Sequence, residues 1–168
     1  MIDENYTSLN SHERVLKSDL RIEFRCCLDE LNARMILIQA ENQNDKKFLN
    51  DIEQLRQVIL KLQRSEVMNE NYGALNIFGL DENKIHELSH NPEHGHVLLC
   101  HEIGIRAAEI NLLRVLIRRA EILAVRAFHD NDFDYAHVLN RLSSAAYNLI
   151  HEYLPESFDK FFRFTHSK

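Results

Sequence analysis

Two arginines one helical turn apart have the residue types and spacing to bind an anion. Arg114 and Arg118 are four residues apart, Arg119 follows directly, and Glu121 comes three residues after Arg118. On a helix, residues four apart project from the same face, so the two guanidiniums would present neighbouring forks of hydrogen-bond donors. Such a pair suits a polyphosphate, or a carboxylate on a neighbouring subunit. The alternative is a solvated helix face on which Arg118 pairs with Glu121 and contributes little to stability.

A second chemical candidate is the sequence H-E-x-x-H at residues 86–90. Two histidines at this spacing bind zinc when they lie within a long helix, and the glutamate then acts as a general base. Here Pro92 should end the helix, and Glu93 stands where the extended form of the motif has glycine. A zinc hydrolase that uses His86, Glu87 and His90 is therefore only a minor alternative.

The same region holds three further histidines, at positions 94, 96 and 101. Histidines so spaced can bind zinc, iron or cobalt, but they lack cysteine or carboxylate partners at a recognisable spacing. We interpret them as solvated loop side chains and predict no resident metal site.

The apolar pattern predicts an all-α fold, a bundle of four to five helices. Five segments carry the pattern: a long helix from about 19 to 42, a second after residue 46, a short one at 82–89 capped by Asp81, the arginine helix at 110–127, and a last one from 131 or 132 to Pro155. Residues 1–17 and 69–100 lack it, so we predict an N-terminal loop and an irregular insert within a single domain, 1–168. The phenylalanine-rich tail at 158–164 should pack against the bundle or a second subunit.

Composition excludes several classes of function. A chain of 168 residues is long enough to bury a core. Acidic residues outnumber basic ones, 26 to 20, which argues against binding to nucleic acid. No apolar run approaches the roughly 20 residues that a membrane span requires, and no signal-peptide pattern opens the sequence. The three cysteines suggest no disulfide framework, so we expect a cytoplasmic protein.

Three separated blocks of the sequence carry a more specific signal. They are TSL at 7–9 with ERVLKSDLRIE at 13–23 and LDELN at 28–32, then LRVLIRRAE at 113–121, then LNRLS at 139–143. In motif, order and spacing these blocks resemble the ATP:cob(I)alamin adenosyltransferases of the propanediol-utilisation type.

The insert is similar to the ethanolamine-utilisation branch of the same superfamily. The similarity lies in FGLDE at 78–82, IH at 85–86, LSHNP at 88–92 and NLLR at 111–114. In that branch the second histidine of an H-x-x-S-H pair is also followed by x-P, which accounts for the likeness to a zinc motif.

The resemblance implies a trimer of helical bundles with active sites between subunits. It implies that ATP and a reduced cobalamin, or another corrinoid, are the substrates and that Mg²⁺ accompanies the triphosphate. Co(I) attacks the 5′ carbon of ATP and expels triphosphate, so the hard chemistry belongs to the corrinoid. A reductase and an adenosylcobalamin-dependent enzyme are the implied further partners.

The resemblance also implies roles for individual residues. Arg118 would be a triphosphate ligand and Asn140 an ATP contact. Asp29 and Arg114 would form an ion pair between subunits, and Lys17 would contact phosphate from the N-terminal loop. These types suit the roles, since arginine offers a planar fork of donors and lysine a point charge.

The N-terminal loop departs from the family pattern. The family sequence T-K-T-G-D-x-G-x-T has glycines that let backbone amides wrap the phosphates. Asp3 and Thr7 match this pattern, but Ile2 and Asn5 replace the glycines. Asparagine adopts the left-handed conformation at little cost, whereas isoleucine does not. The alternative function is therefore a catalytically impaired relative that binds or delivers corrinoid, or forms a trimeric scaffold.

One further departure concerns the corrinoid side of the site. The family has a phenylalanine that presses on the corrin ring, and Leu98 stands at about that position. The resemblance therefore implies that an aliphatic side chain serves there instead.

Overall fold

A computed structural model describes residues 3–10, 13–91 and 95–162. Within these ranges the chain forms a helical bundle, as the apolar pattern predicts. Its helices are α1 (Leu20–Glu41), α2 (Lys46–Met68), α3 (Glu82–Ser89), α4 (Gly104–Phe128) and α5 (Tyr135–Glu152). Helix α4 packs against both α1 and α5, α2 packs on α1, and α3 packs on α5.

Three short antiparallel strand pairs and one 3₁₀ turn join these helices. The pairs are β1 (Tyr6–Ser8) with β2 (Arg14–Leu16), β3 (Asn76–Ile77) with β4 (Leu80–Asp81), and β5 (His96–Val97) with β6 (Phe161–Phe162), and the 3₁₀ turn is His101–Ile103. The last pair attaches the C-terminal segment to the insert, as expected for a tail that packs against the bundle. Its Phe164 lies outside the described residues.

The N-terminal segment is a β-hairpin and not the loop that we expected. Thr7 pairs with Val15, the Leu9 amide donates to the Glu13 carbonyl at 2.9 Å, and the Lys17 amide donates to the Asn5 carbonyl at 2.8 Å. Strands of three residues are too short to show an alternating apolar pattern, so the sequence gives no sign of them.

Capping side chains begin some of the helices but not all. Asp19 caps α1, because its carboxylate accepts from the Arg21 amide at 2.8 Å. Helix α5 begins at Tyr135, later than expected. The preceding Asp134 does not cap it, because its carboxylate accepts from the Tyr72 and Gly73 amides at 2.7 and 2.8 Å.

An aromatic cluster joins the first, fourth and fifth helices. Phe24 and Phe128 meet edge to face with ring centroids 5.4 Å apart, and Phe128 meets Tyr135 in the same way at 5.1 Å. The Tyr135 hydroxyl donates to the Glu70 carbonyl at 2.7 Å, so its polar end is also satisfied. Because the rings come from three helices, the cluster fixes how α4 lies between α1 and α5.

One buried carboxylate ties α1 to α2. The Glu66 side chain is fully inaccessible to solvent, and its two oxygens accept from different arginines of α1. Arg21 donates to Oε1 at 2.7 Å, and Arg25 donates to Oε2 at 2.5 Å. Removing one partner of such a group leaves a buried charge uncompensated, which costs about 3–5 kcal/mol.

No helix in the described ranges has the length and apolarity that crossing a membrane would require.

The Glu53 carboxylate gives a test of the α1–α2 contact. Arg56 donates to it at 2.8 Å and Gln39 of α1 at 3.0 Å, and mainly because of Arg56 its pKa falls from 4.5 to about 2. A carboxyl with a lowered pKa stabilises the fold above its unfolded-state pKa, and this stabilisation is lost as pH falls towards the folded-state value. We expect Glu53→Gln to lower the urea midpoint at pH 7 and to differ less from the parent at pH 3.

The control for this experiment is Glu156→Gln, which changes an exposed carboxylate beyond α5. Its difference from the parent should stay small at both pH values. An equal loss for Glu53→Gln at pH 7 and at pH 3 would contradict the assignment.

Candidate functional site on helices α4 and α5

The buried face of α4 positions the two arginines. Ile110, Leu113 and Ile117 are fully buried, which leaves Arg114 half-buried and Arg118 exposed on the flank of the helix nearest α5. The four-residue spacing therefore places both guanidiniums on one side of α4, as the sequence predicts.

The two arginines line a small cavity between α4, α5 and the insert, which we call the polar chamber. Its volume is about 260 Å³. Every lining side chain is polar: Ser89, His90, His96, Arg114, Arg118, Ser143, Ser144 and Tyr147. Such a wall suits a ligand that carries negative charge and several hydrogen-bond acceptors.

The same arginines also line a larger groove on the outer side of α4, which we call the arginine groove. Its volume is about 500 Å³. Four arginines, one glutamate and three apolar side chains form it: Glu23, Arg114, Val115, Arg118, Arg119, Ile122, Leu123 and Arg126. Arg114 and Arg118 are thus the wall shared by the chamber and the groove.

Neither shared arginine forms an ion pair with a carboxylate of the described residues. Arg114 donates from Nε to the Asn111 side chain at 3.1 Å, and its guanidinium carbon lies 6.0 Å from the Tyr147 ring centroid. Burial lowers the pKa of Arg114, and the positive charge of Arg118 lowers it further. A bound anion would relieve the repulsion between these two charges.

The alternative pairing of Arg118 with Glu121 is absent among the described residues. The Glu121 carboxylate instead accepts from the Asn140 side chain of α5, at 2.9 Å. The interface between α4 and α5 brings Asn140 to within reach of Glu121, so the local i,i+3 spacing does not decide the partner. Asn140 is therefore held about one turn of α4 from Arg118.

The other predicted site residues lie apart from the two arginines within one chain. Asp3, Thr7 and Lys17 belong to the N-terminal hairpin, and none of them lines the chamber or the groove. Asp29 is exposed on α1 and accepts from Gln63 at 2.7 Å. A single chain thus brings Arg114 and Arg118 together and leaves these four elsewhere, while Asn140 contacts Glu121 of α4 and lines neither the chamber nor the groove.

Leu98 lies next to β5, close in sequence to a wall of the polar chamber. Its side chain is exposed, and its amide donates to the Lys160 carbonyl at 3.0 Å. It does not line the chamber itself, whereas His96 of the adjacent strand does.

The histidines of the H-E-x-x-H sequence have other partners. His86 Nδ1 lies 2.7 Å from the Arg141 guanidinium, and burial together with that positive charge lowers the His86 pKa. His90 Nδ1 lies 3.0 Å from the His86 carbonyl. The helix ends at Ser89, as expected. In residues 3–10, 13–91 and 95–162 no three potential metal-ligating side chains come together, and His94 lies outside these ranges. The structure gives the zinc hydrolase no support.

Sequence analysis missed the wall that α5 contributes to the polar chamber. Ser143, Ser144 and Tyr147 follow Asn140 at three, four and seven residues, which is the spacing of one helix face. The Tyr147 hydroxyl accepts from the Val97 amide at 3.2 Å, so this side chain also attaches β5 to α5. The helical spacing of these three residues from Asn140 was the sequence signal that could have identified this wall.

Comparisons with known proteins identify the family. A sequence profile described as cobalamin adenosyltransferase matches residues 2–152. The corrinoid adenosyltransferase EutT of Salmonella typhimurium is 34% identical over 154 residues, and EutT of Escherichia coli K12 is 33% identical. Each alignment covers 86% of this chain and 57% of the relative, so the chain spans little more than half the length of these relatives.

Solved structures share the fold. Two variants of a PduO-type ATP:corrinoid adenosyltransferase from Lactobacillus reuteri, complexed with cobalamin and ATP, superpose with TM-scores of 0.65 and 0.64 at 19% and 18% identity. The likeness covers 95% of this chain and 95% and 96% of the two structures. Because the profile matches nearly the whole bundle, the chain belongs to the cobalamin adenosyltransferase family.

Proposed function

We propose that this protein transfers the 5′-deoxyadenosyl group of ATP to a reduced corrinoid and releases triphosphate. The observation that carries the proposal is the pair Arg114 and Arg118, side by side on a wall shared by two cavities and without a carboxylate partner among the described residues. The EutT relatives are named corrinoid adenosyltransferases, and the PduO-type structures contain ATP and cobalamin, which supports the same substrates here.

The reaction is a displacement at carbon. Co(I) of the substrate donates an electron pair to C5′ of ATP and forms the cobalt–carbon bond. The bond between C5′ and its oxygen breaks, and its electron pair leaves with the triphosphate. Negative charge therefore grows on the triphosphate, and fixed cations beside it stabilise the transition state more than the ground state.

The chain's own residues would hold and neutralise the nucleotide. Arg118, which has no partner in the described residues, would donate to the triphosphate, and Asn140 would contact ATP from the adjacent turn of α5. Lys17 and Thr7 would contact the phosphates, and Mg²⁺ would neutralise part of their charge. The three cysteines are free, which suits the cytoplasm.

An apolar stripe on α4 supports assembly into a homotrimer. Ile105, Leu112, Val115 and Ile122 recur at intervals of seven and three residues, the repeat by which helices pack against partner helices. They are 73%, 41%, 49% and 61% exposed in the single chain. Large exposed apolar residues in such register mark an interface.

The stripe lies beside the candidate site. Val115 and Ile122 belong to the stripe and also line the arginine groove, so a second copy packed there would close the groove. That copy would bring the exposed Asp29 of its own α1 towards Arg114, and its N-terminal hairpin towards Arg118. This assembly would unite residues that one chain keeps apart.

A reductase and an adenosylcobalamin-dependent enzyme would be the further partners.

Anaerobic mixing tests the activity directly. We expect the protein, chemically reduced cobalamin, ATP and Mg²⁺ together to convert Co(I) to adenosylcobalamin, measured by the loss of Co(I) absorbance. The control omits ATP. Tight binding of corrinoid without turnover at saturating ATP would contradict the proposal and favour the carrier or scaffold alternative.

Arg118→Ala tests the triphosphate ligand. Removing one fixed donor to developing negative charge typically lowers kcat by about 100-fold or more. Because the side chain is exposed on α4, helical circular dichroism should not change. Arg64→Ala, which removes an exposed arginine of α2, is the control and should keep parental activity. Unfolding of Arg118→Ala, or parental turnover, would count against the assignment.

Ile122→Glu tests the assembly. A charge placed in the stripe should prevent packing of a second copy, so we expect a trimeric parent and a monomeric variant in sedimentation equilibrium, with helicity kept and turnover lost. Val67→Glu is the control, because Val67 is 51% exposed on α2 away from the stripe. A monomeric parent, or a variant that stays trimeric, would refute the interface.

A further inference from the structure

Arg25 connects the N-terminal hairpin to the centre of the bundle. From α1, its Nε donates to Glu66 Oε2 at 2.5 Å, and its Nη1 donates to the Leu9 carbonyl at 2.7 Å. Glu66 belongs to α2 and is buried, and Leu9 is only 4% exposed. One guanidinium therefore joins the hairpin to α1 and α2.

The hairpin has little apolar contact of its own with the bundle. Among the described residues up to Lys17, Leu9 alone is buried. Segments with few buried side chains open at low free-energy cost unless polar contacts hold them. The hydrogen bond to the Leu9 carbonyl thus acts where the hairpin enters the core.

Backbone hydrogen bonds connect the strands of the hairpin to this anchor. The Leu9 amide donates to the Glu13 carbonyl, and the Lys17 amide donates to the Asn5 carbonyl, at 2.9 and 2.8 Å. Thr7 lies between these two hydrogen bonds and pairs with Val15. A change in how Leu9 is held would therefore move Thr7 and Lys17 together.

We propose that Arg25, oriented by Glu66, is a positioning residue that fixes the hairpin, and with it Thr7 and Lys17, for contact with the phosphates of ATP. The identity of the ligand rests on the proposed function. The attachment of the hairpin does not, because it follows from the contacts of Arg25 alone.

Glu66 orients Arg25 because each oxygen of this buried carboxylate needs a hydrogen-bond donor. Arg21 binds Oε1 and the Asn69 side chain, and Arg25 binds Oε2 and the Leu9 carbonyl. Only a planar fork can donate in both directions at once, whereas lysine acts as a point charge. Arg21 thus shares the buried carboxylate but forms no hydrogen bond to the described part of the hairpin, residues 3–10 and 13–17.

Arg21 therefore supplies a matched control. Arg25→Met and Arg21→Met each remove one arginine from Glu66 and should destabilise the fold to a similar extent. Only Arg25→Met releases the Leu9 carbonyl. Arg25→Lys keeps a positive charge beside Glu66 but loses the fork, so it separates loss of charge from loss of the hairpin contact.

Hydrogen exchange of the Leu9 and Lys17 amides is the first measurement. We expect exchange to quicken in Arg25→Met and Arg25→Lys and to match the parent in Arg21→Met. Unchanged exchange in Arg25→Met would overturn the attachment, and this readout does not depend on activity. Equal quickening in Arg21→Met would overturn it too, because the effect would then come from Glu66 alone.

The KM for ATP is the second measurement. We expect it to rise about tenfold in Arg25→Met, the equivalent of one hydrogen bond to a charged group, with kcat nearly unchanged and with Arg21→Met near the parent. Faster exchange with an unchanged KM would overturn the link to ATP. A parent without turnover would refute the proposed function, while exchange would still decide the attachment.

Discussion

The buried face of α4 determines where two positive charges stand. Ile110, Leu113 and Ile117 are fully enclosed, and Phe128 at the end of the helix is clamped by rings from α1 and α5. Rotation of α4 about its axis would expose this face, so the direction in which Arg114 and Arg118 project is fixed by the core. Cations held in this way need no reorganisation when charge develops beside them, which is the property that electrostatic catalysis requires.

Holding Arg114 and Arg118 side by side costs free energy. Arg114 is partly withdrawn from water and lies beside a like charge, and both effects lower its pKa. The bundle compensates the buried Glu66 with two arginines, yet among the described residues it gives Arg114 no carboxylate. The fold neutralises the buried Glu66 with two cations. It offers no comparable structural reason for leaving Arg114 and Arg118 without an ion pair in the described part of the chain. The triphosphate and the second subunit of the proposed function would supply that reason.

The sequence predicts the long helices, which apolar periodicity encodes. It does not predict features that depend on single hydrogen bonds. The long helices follow from apolar residues at helical spacing. The hairpin at the N-terminus does not, because its short strands depend on backbone pairing that any residue types can make. Asp134 is a good capping residue by type, but it binds the amides of Tyr72 and Gly73 instead. Likewise Arg118 lies at the right spacing on α4 to pair with Glu121. Glu121 instead accepts from Asn140 across the interface with α5.

The candidate site was predictable only in part for a related reason. Arg114 and Arg118 share one side of α4, as their spacing predicts, and Asn140 lies on α5, which packs against α4. Motif order says nothing about whether Lys17 and Asp29 meet them within one chain or across two. Tyr147 carried no motif, and its place in the polar chamber depends on the path of the insert. That path is held by bonds such as the one from the Val97 amide to Tyr147.

The N-terminal hairpin also changes how phosphate can be held. Glycines in the family's loop free backbone amides to wrap an anion, but Asn5 does not adopt a left-handed conformation, since Asn69 and Phe78 are the described non-glycine residues with positive φ. The Asn5 amide cannot readily donate to a phosphate, because it already donates to the Asp3 carboxylate at 3.0 Å, while the Asn5 carbonyl accepts from the Lys17 amide. Backbone groups of this segment are thus committed to the hairpin. In the proposed reaction, neutralising the triphosphate would then fall more heavily on side chains, and the proposed attachment of the hairpin through the Leu9 carbonyl would position Thr7 and Lys17 for it.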